Sequence, residues 1–348
     1  PDAVGEVLFG NCLMAGQGQA PARQAAFKGG LPKEAGAVTL SKMCGSGMKA
    51  AMFAHDMLLA GTHDVMVAGG MESMTNAPYL LQKGRGGYRL GHDRIFDHMM
   101  LDGLEDAYEP GRSMGTFGED CAAKYGFTRA EQDAFATASV ERAKAATASG
   151  AFAAEITPVT VKSRAGETVV SVDEGPGKVK LDKIASLKPA FKKDGTITAA
   201  SSSSINDGAA ALVMMRASTA TKLGCKPLAR IVGHATHAQE PEWFATAPLG
   251  ATQKALAKAG WAVGDVDLWE INEAFAVVPM ALMKELNLPH DKVNVNGGAC
   301  ALGHPIGASG ARILVTLIYA LQARGLKKGL ATLCIGGGEA TAMAIELL

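Results

Sequence analysis

Two cysteines occupy the same kind of position in this sequence, where an apolar run ends and glycines follow. Cys44 separates the run AVTL from the turn GSG, and Cys334 lies at the end of the run LATLCI, in front of three glycines. A helix that starts at such a turn favours a thiolate through its dipole and its free backbone N–H groups. From its position alone, Cys44 is either a nucleophile or a small buried side chain in the core. Two thiols that converge on one pocket would suit acyl transfer.

A histidine and an asparagine could complete such a site. His304 lies in NGGACALGHPIGASGAR, where Pro305 fixes the turn and the many glycines indicate that another backbone or a ligand comes close. Asn272 follows the apolar start of WEINEAFA, at the strand end where parallel sheets place their sites. A lone histidine is usually a structural residue, and Asn272 by itself is more simply a helix cap. Both roles depend on whether the fold brings these side chains to the two cysteines.

One pattern of a strand, a glycine turn, a helix and a second strand occurs near each end of the chain. The first copy runs from AVTLSKMC through GSG and a helix ending at Gly61 to the strand DVMVA. The second runs from VNVNGG through HPIGASG and a helix ending near Gly325 to LATLCI. These units predict an α/β fold of two similar βαβ-based halves, each with a parallel sheet buried on both faces.

The segment between the two copies has a different composition and predicts a large insertion. Residues 75–205 hold charged and glycine-rich stretches, and the box TRAE, starting at Thr128, predicts the start of a helix. We therefore expect an N-terminal half of residues 1–74 plus 206–226 and a C-terminal half of residues 227–348. The sequence begins without the upstream βαβ unit that a full copy of the pattern requires, so we expect the N-terminal half to be incomplete at its start.

The composition argues against several classes of function. The 348 residues include 34 lysines and arginines and 34 aspartates and glutamates, without a long block of one sign, so no nucleic-acid or anionic-membrane partner is indicated. The apolar stretches are too short or too interrupted to span a bilayer. The six cysteines are scattered singly without a CxxC pair, so we expect neither a disulfide framework nor a metal site.

Taken together, the motifs resemble the thiolase family, and most closely its biosynthetic type. The resemblance covers the whole chain, in the order GNCLMAGQGQAPARQAA, MCGSGMKA, GGMESMTNAPYLL, SMGTFGED, SSSSINDGAAALVM, WEINEAFA, NGGACALGHPIGASGAR and CIGGGEA. It implies an α-β-α-β-α sandwich of two halves, with the insertion as a loop domain that binds CoA. It also implies an acyl-CoA C-acetyltransferase, which condenses two acetyl-CoA to acetoacetyl-CoA and CoA by a Claisen reaction and runs thiolysis in reverse.

The resemblance implies a role for each candidate catalytic residue. Cys44 is the nucleophile that takes the acyl group, with His304 accepting its proton, and Cys334 is the general base that removes an α-proton from a second acetyl-CoA. His304 and a water held by Asn272 stabilise the enolate oxygen. The backbone N–H groups of Cys44 and Gly336 face the tetrahedral oxyanion, which explains the glycine because a backbone donor needs a bare backbone.

The same resemblance implies the substrate-binding residues and the partners. The residues near CoA are Ser203, at the pantetheine, and the pocket-lining Phe191, Ala199, Met114 and Phe275. No cofactor is implied, because acetyl-CoA, acetoacetyl-CoA and CoA are substrates, and we expect a cytoplasmic homotetramer or homodimer. Two departures leave the acyl chain length open: Ser113 replaces a histidine usual in biosynthetic members, and the short loop EGPGKVK offers only Lys178 or Lys180 to the nucleotide.

Four alternatives stay open on the sequence. A 3-ketoacyl-CoA thiolase of broader chain length would share the motifs. A ketoacyl synthase of the same fold would need a second histidine in place of Asn272. A thiol hydrolase would combine Cys44, His304 and Asn272 and would not need Cys334. A non-catalytic CoA-binding or lipid-binding protein would keep the fold without needing any of these side chains.

Overall fold

The computed structural model describes residues 1–164 and 166–348, in which two four-stranded sheets organise the chain. The strands are β1 (Glu6–Gly10), β2 (Gly36–Leu40), β3 (Val65–Ser73), β4 (Tyr79–Leu80), β5 (Phe96–Asp97), β6 (Val159–Ser163), β7 (Gly166–Val170), β8 (Asp207–Met215), β9 (Ala229–Ala238), β10 (Leu268–Ile271), β11 (Lys328–Ile335) and β12 (Glu339–Leu347). The α-helices are α1 (Pro21–Lys28), α2 (Ser46–Ala60), α3 (Met114–Tyr125), α4 (Arg129–Ser149), α5 (Gly175–Lys178), α6 (Ala217–Lys222), α7 (Pro248–Ala259), α8 (Val277–Leu286), α9 (Ala299–Leu302) and α10 (Ser309–Arg324).

The first sheet has the strand order β2-β1-β3-β8. β1 lies parallel to β2 and β3, as the repeated pattern predicts, whereas β8 runs antiparallel to β3. The prediction of an all-parallel sheet is therefore wrong at β8. The reason lies in where the insertion begins and ends: Ser73 at the end of β3 pairs with Asp207 at the start of β8. The chain returns at the same end of the sheet at which it left β3, so no crossover is made and the two strands are antiparallel.

The second sheet has the strand order β10-β11-β12-β9, and only β10 and β11 are parallel. β12 runs antiparallel to both β11 and β9. The parallel prediction is thus wrong here as well, because only residues 336–338 connect β11 to β12 and a parallel crossover needs many more. Gly337 and Gly338 have φ values of 90° and 83°, which such a tight turn requires.

The segment VNVNGG, residues 293–298, does not form the predicted strand and contributes a single bridge between Val293 and Trp269. Asn294 has a left-handed backbone, with φ of 47°, which is incompatible with a strand. Its side-chain amide pairs with Ile271 instead, accepting from the N–H and donating to the C=O at 2.8 Å each. The Asn294 side chain therefore makes the hydrogen bonds to β10 that the backbone of a neighbouring strand was expected to make.

Helices α2 and α10 form a layer between the two sheets. Met48 and Met52 of α2 pack with Ile313 and Leu317 of α10 in one buried cluster that also includes residues of both sheets. Each fully buried side chain of this size contributes roughly 1.5–3 kcal/mol. α1 covers the outer face of the first sheet and α7 that of the second. The layers are thus α-β-α-β-α, which confirms the fold class.

The two central helices touch through their backbones near their N-terminal ends. A Cβ added to Gly310 would lie 2.3 Å from the backbone nitrogen of Met48, and one added to Gly47 would lie 2.8 Å from that of Ala311. Only glycine permits such a close approach. The contact holds the start of α2, which follows Cys44, beside the start of α10, so the two N-termini share one location between the sheets.

The described residues of the insertion, 75–164 and 166–205, contribute no strand to either large sheet. Helix α4 starts as predicted, because the Thr128 hydroxyl accepts from the Glu131 N–H and the Glu131 carboxylate accepts from the Thr128 N–H. α3 packs against α8 and so joins the insertion to the C-terminal sheet region. In the described part of the chain, no helix is both long and apolar enough to cross a membrane.

Candidate active site

Cys44 lies in the turn between β2 and α2, just before the helix begins at Ser46. The backbone N–H groups of Gly336 and of Cys44 itself donate to its sulfur and lower the pKa. Burial nevertheless raises the pKa of the Cys44 thiol to about 11, and the charge of Glu72 adds to the rise. Desolvation therefore outweighs the N–H donors and the helix start that the sequence pattern indicates. Cys44 rests as a thiol and needs a base during attack.

Cys334 lies near the end of β11 and is fully buried. Burial raises its pKa well above the usual range of a thiol, and the proximity of Cys44 raises it further. A charge on one sulfur therefore disfavours a charge on the other. The fold brings the two predicted cysteines together as a pair of neutral thiols.

Gly336 opens the turn between β11 and β12. A Cβ added there would come no closer than 3.6 Å to any neighbour, the nearest atom being Cε of Met114. A Cβ at Gly338, in contrast, would lie 2.3 Å from the carbonyl oxygen of Gln239. Glycine at 338 is thus required by the turn itself. Glycine at 336 leaves space open next to the Cys44 sulfur.

His304 is 7% exposed, and its two ring nitrogens have different partners. Nδ1 lies against Oγ of Ser309, whose hydroxyl donates to the carbonyl oxygen of Pro305 at 2.9 Å. Nδ1 therefore carries the proton, which leaves a lone pair on Nε2. Nε2 lies 3.4 Å from Nδ2 of Asn272. Burial, reinforced by the positive charge of Arg312, lowers the pKa of His304 to about 4, so the ring is neutral at rest.

Asn272 directly follows β10 and is 1% exposed. It does not cap a helix, because α8 starts at Val277 with Ala276 as its N-cap. The helix-cap interpretation is therefore wrong. Nδ2 of Asn272 faces His304, while Oδ1 has no hydrogen-bond partner among the residues that the structure describes. The side chain thus orients the imidazole and keeps one acceptor for a water or a substrate.

Two buried carboxylates hold the loops of the site: sequence reasoning missed Glu72 and gave Glu273, beside Asn272, no role of its own. Glu72, near the end of β3, accepts from the backbone N–H groups of Cys12, Leu13 and Gly307 at distances of 2.8–3.1 Å. Glu273, next to Asn272, accepts from Ser139 Oγ, Asn294 Nδ2 and Cys300 N–H. The available signal was an acidic residue following an apolar strand, in GGMES and in WEINE. Since both carboxylates bind backbone N–H groups, they fix loop geometry.

Three predicted CoA-binding residues share one apolar cluster with Cys334, namely Met114, Phe191 and Phe275. The rings of Phe191 and Phe275 meet edge to face with their centroids 5.6 Å apart. Phe191 also covers Gly115, where an added Cβ would lie 2.3 Å from the ring. The apolar wall of the site therefore combines the insertion with the segment after β10.

The other predicted substrate contacts lie at the edge of this cluster or outside it. Ser203 lies beside Phe275, because its N–H donates to the carbonyl oxygen of Ala274, the residue before Phe275, at 3.0 Å. Ala199 is exposed, and Lys178 pairs with Glu174 on the surface at 2.8 Å. Ser113, which replaces the family's usual histidine, caps α3 by accepting from Gly115 N–H.

Replacing Ser309 with alanine tests whether this hydroxyl sets the protonation of His304. The change leaves the buried Nδ1–H without its acceptor, and an orphaned buried donor costs about 1–3 kcal/mol. We expect kcat to fall roughly five- to a hundredfold at unchanged KM, with the acid limb of the pH–rate profile displaced. Thr316→Ala, on the same helix, removes another buried hydroxyl and serves as the control. An equal loss in both variants would assign Ser309 a purely structural role.

The layered fold, with a cysteine ahead of one central helix and a histidine ahead of the other, is that of thiolases. Residues 1–218 match the model of the N-terminal thiolase domain and residues 225–347 that of the C-terminal thiolase domain. The chain belongs to the thiolase family.

Several relatives and solved structures are similar over nearly the whole chain. The acetyl-CoA acetyltransferase of Chromobacterium violaceum is 52% identical, covering 99% of this chain and 88% of the relative. Acetyl-CoA acetyltransferase 2 of Arabidopsis thaliana is 51% identical, covering 100% and 87%. The crystal structure of the Bacillus anthracis acetyl-CoA acetyltransferase superposes with a TM-score of 0.96 at 44% identity, covering 100% and 88%. The Acat5 thiolase of Ascaris suum, solved in complex with coenzyme A, gives 0.93 at 42% identity, covering 100% and 88%.

Proposed function

We propose that this chain is an acetyl-CoA acetyltransferase that condenses two acetyl-CoA to acetoacetyl-CoA and CoA and cleaves acetoacetyl-CoA in reverse. The observation that carries the proposal is the environment of the Cys44 sulfur, which receives two backbone N–H donors and interacts with a second thiol, Cys334. A hydrolase has no use for that second thiol. A condensing enzyme needs it, because a second substrate must lose a proton from carbon.

The first half-reaction transfers the acetyl group to Cys44. As the sulfur attacks the thioester carbon, its proton passes to Nε2 of His304. With pKa values of about 11 for the thiol and about 4 for the imidazole, no ion pair exists at rest, so the proton moves only as the new C–S bond forms. The departing CoA sulfur takes a proton from Cys334. This leaves acetyl-Cys44, an imidazolium and a Cys334 thiolate.

The second half-reaction forms the carbon–carbon bond. The Cys334 thiolate removes a proton from the methyl group of a second acetyl-CoA, and its high pKa makes it a strong base. The enolate oxygen is stabilised by the imidazolium of His304 and by a water that Asn272 orients. The enolate carbon attacks acetyl-Cys44, and the Cys44 sulfur leaves with the proton of His304. Every group returns to its resting protonation state, so the cycle needs no external acid, base, metal or cofactor.

The tetrahedral intermediates of both half-reactions place negative charge on the former carbonyl oxygen. The N–H groups of Cys44 and Gly336 both donate to the Cys44 sulfur, which bonds the same carbon, and we therefore assign them to the oxygen on that carbon. Removing one donor of such an oxyanion hole typically costs about a hundredfold or more in kcat. The open space next to Gly336 is the room that this oxygen and the acyl group occupy.

The substrate pocket follows from the apolar cluster beside Cys334. Met114, Phe191 and Phe275 form its wall. Ser203, whose N–H donates to the carbonyl oxygen of Ala274 next to Phe275, is the residue that we assign to the pantetheine of CoA. The insertion would thus act as the CoA-binding loop domain. Ser113 caps α3 and has no ring that could narrow the pocket as a histidine would. A 3-ketoacyl-CoA thiolase of broader chain length is therefore the second candidate.

Assembly and compartment complete the proposal. β2 is an edge strand of the first sheet and exposes Val38, and such an edge is suited to pairing with a second copy in a homodimer or homotetramer. All six cysteines are free thiols, which fits a reducing compartment such as the cytoplasm.

Intact mass spectrometry after brief incubation with acetyl-CoA tests the function. We expect one acetyl adduct per chain, mapped to the peptide of Cys44 and removed by free CoA with return of acetyl-CoA. Parallel incubations with butanoyl-CoA and hexanoyl-CoA distinguish the two candidates, since only the broader enzyme forms longer adducts at comparable rates. A folded protein that forms no adduct with any of the three would refute the proposal and point to a non-catalytic binder.

A further inference from the structure

Three potential ligand groups converge at a point remote from the two cysteines. His55 and Asp56 are consecutive residues of α2, and His234 lies in β9. Nδ1 of His55 lies 3.1 Å from Nε2 of His234, and Oδ1 of Asp56 lies 3.1 Å from the same Nε2 and 3.5 Å from Nδ1 of His55. His55 lies nine residues after the start of α2 at Ser46, about 14 Å along the helix, and Cys44 precedes that start, so the cluster plays no part in the acyl transfer described above.

Hydrogen bonds alone do not satisfy this triangle. Each of its three sides needs one proton between the two atoms, but Asp56 supplies none and each neutral imidazole supplies at most one. If both rings donate to the carboxylate, the two N–H groups oppose each other across 3.1 Å. If His55 donates to the single lone pair on Nε2 of His234, that nitrogen has no proton for the carboxylate oxygen 3.1 Å away. One side of the triangle is repulsive in either arrangement, and a cation at the centre would attract all three lone pairs.

The convergence is also not the default for these positions. Side chains of consecutive helix residues point about 100° apart and do not normally face each other. Yet His55 and Asp56 both turn to the ring of His234, which is only 9% exposed. The convergence therefore brings two imidazole nitrogens and a carboxylate oxygen together where the helix alone would separate them.

We propose that His55, Asp56 and His234 form a divalent metal site that takes Zn²⁺. Metal–ligand distances of about 2.0–2.2 Å in a tetrahedral zinc site place ligand atoms about 3.3–3.5 Å apart, close to the triangle observed here. Two imidazoles and a carboxylate are ligands that zinc accepts, and the half-exposed Asp56 leaves the fourth position open to water. Lys258 near His234 and Lys49 near Asp56 oppose the added charge, but Lys258 is exposed and screened by water.

The location indicates what such a site does. β9 is an edge strand that pairs only with β12 in the second sheet. Helix α2 belongs to the central layer, and its buried side chains pack against both sheets. A metal bound by both elements ties the edge of the second sheet to the helix that follows the nucleophile. The role is therefore stabilisation of the contact between the two halves.

Zinc titration of the full chain tests the site. Protein stripped with EDTA and desalted is titrated with Zn²⁺ against a chromophoric zinc indicator, as wild type and as His55→Gln, His234→Gln and His63→Gln. His63 pairs with the single carboxylate of Glu6 and provides the matched control. We expect wild type and the control to bind one Zn²⁺ more per chain than the two site variants, and saturating Zn²⁺ to raise their Tm by about 3–5 °C more than that of the site variants.

Two further measurements keep the test decisive. The catalytic thiols also attract zinc, but they are present in every variant, so only the difference between proteins counts. Co²⁺ gives an independent reading, since a nitrogen and oxygen site shows tetrahedral d–d absorption without the sulfur-to-cobalt charge transfer of thiolates. If His234→Gln fails to fold, Asp56→Asn, at a more exposed position, replaces it. Equal zinc stoichiometry and equal Tm shifts in wild type and site variants would overturn the proposal.

Discussion

Replacing Cys44 with serine is expected to abolish the acetyl adduct and to lower kcat for thiolysis and condensation by at least about a thousandfold. The reason is the weakness of the base. Burial lowers the pKa of His304 to about 4, so the ring accepts a proton only from a group that becomes a good nucleophile while losing it. A thiol with a pKa of about 11 meets this condition in concert with attack. A serine hydroxyl is a far weaker acid and does not.

The comparison for this variant is Cys225→Ser, which makes the same substitution at an exposed thiol. It should leave the adduct and both rates unchanged. Adduct formation by Cys44→Ser at the wild-type rate would contradict the assignment of the nucleophile. Peptide mapping would then show whether Cys334 or Cys12, the two other thiols near this sulfur, had taken the acetyl group.

The helices around the site could be predicted because their signals are local. Gly61 ends α2 in a left-handed conformation, and the box from Thr128 to Glu131 starts α4, as the sequence predicts. The strand directions were predicted less well. Periodicity identifies a strand but does not tell at which end of the sheet the chain re-enters. That end decides the strand direction, and it makes β8 and β12 antiparallel.

The sequence supplied candidate residues for the site but not the pKa shifts that set their protonation. The position of Cys44 ahead of a helix pointed to a thiolate, whereas the packing of two sheets around it makes desolvation dominant. The tautomer of His304 depends on Ser309, an ordinary small residue in a glycine-rich turn. The sequence around Asn294 predicts a strand, but the residue has a left-handed backbone in the structure. Each of these features depends on contacts between segments that are distant in sequence.

Replacing Cys334 with serine is expected to separate the two half-reactions. Acetylation of Cys44 should continue, slowed by about tenfold or less, because a CoA thiolate is a good leaving group and depends little on the proton that Cys334 supplies. Condensation should fall by roughly 10²–10⁴, the usual contribution of a general base, because a serine hydroxyl in this buried position does not become an alkoxide. Acetyl-enzyme should therefore accumulate to one equivalent per chain in the presence of acetyl-CoA alone.

The control for this experiment is Cys121→Ser, since Cys121 is a buried thiol in the same apolar cluster and lies near Cys334. It carries the same cost of placing a hydroxyl in an apolar environment without touching the proposed proton transfers. Rapid-quench measurement of adduct formation, together with the steady-state rate of acetoacetyl-CoA synthesis, gives the ratio of the two half-reactions for each protein. Only Cys334→Ser should change that ratio. If both rates fell together in both variants, the defect would be one of packing, and the base that generates the enolate would have to be sought elsewhere, with His304 as the remaining candidate.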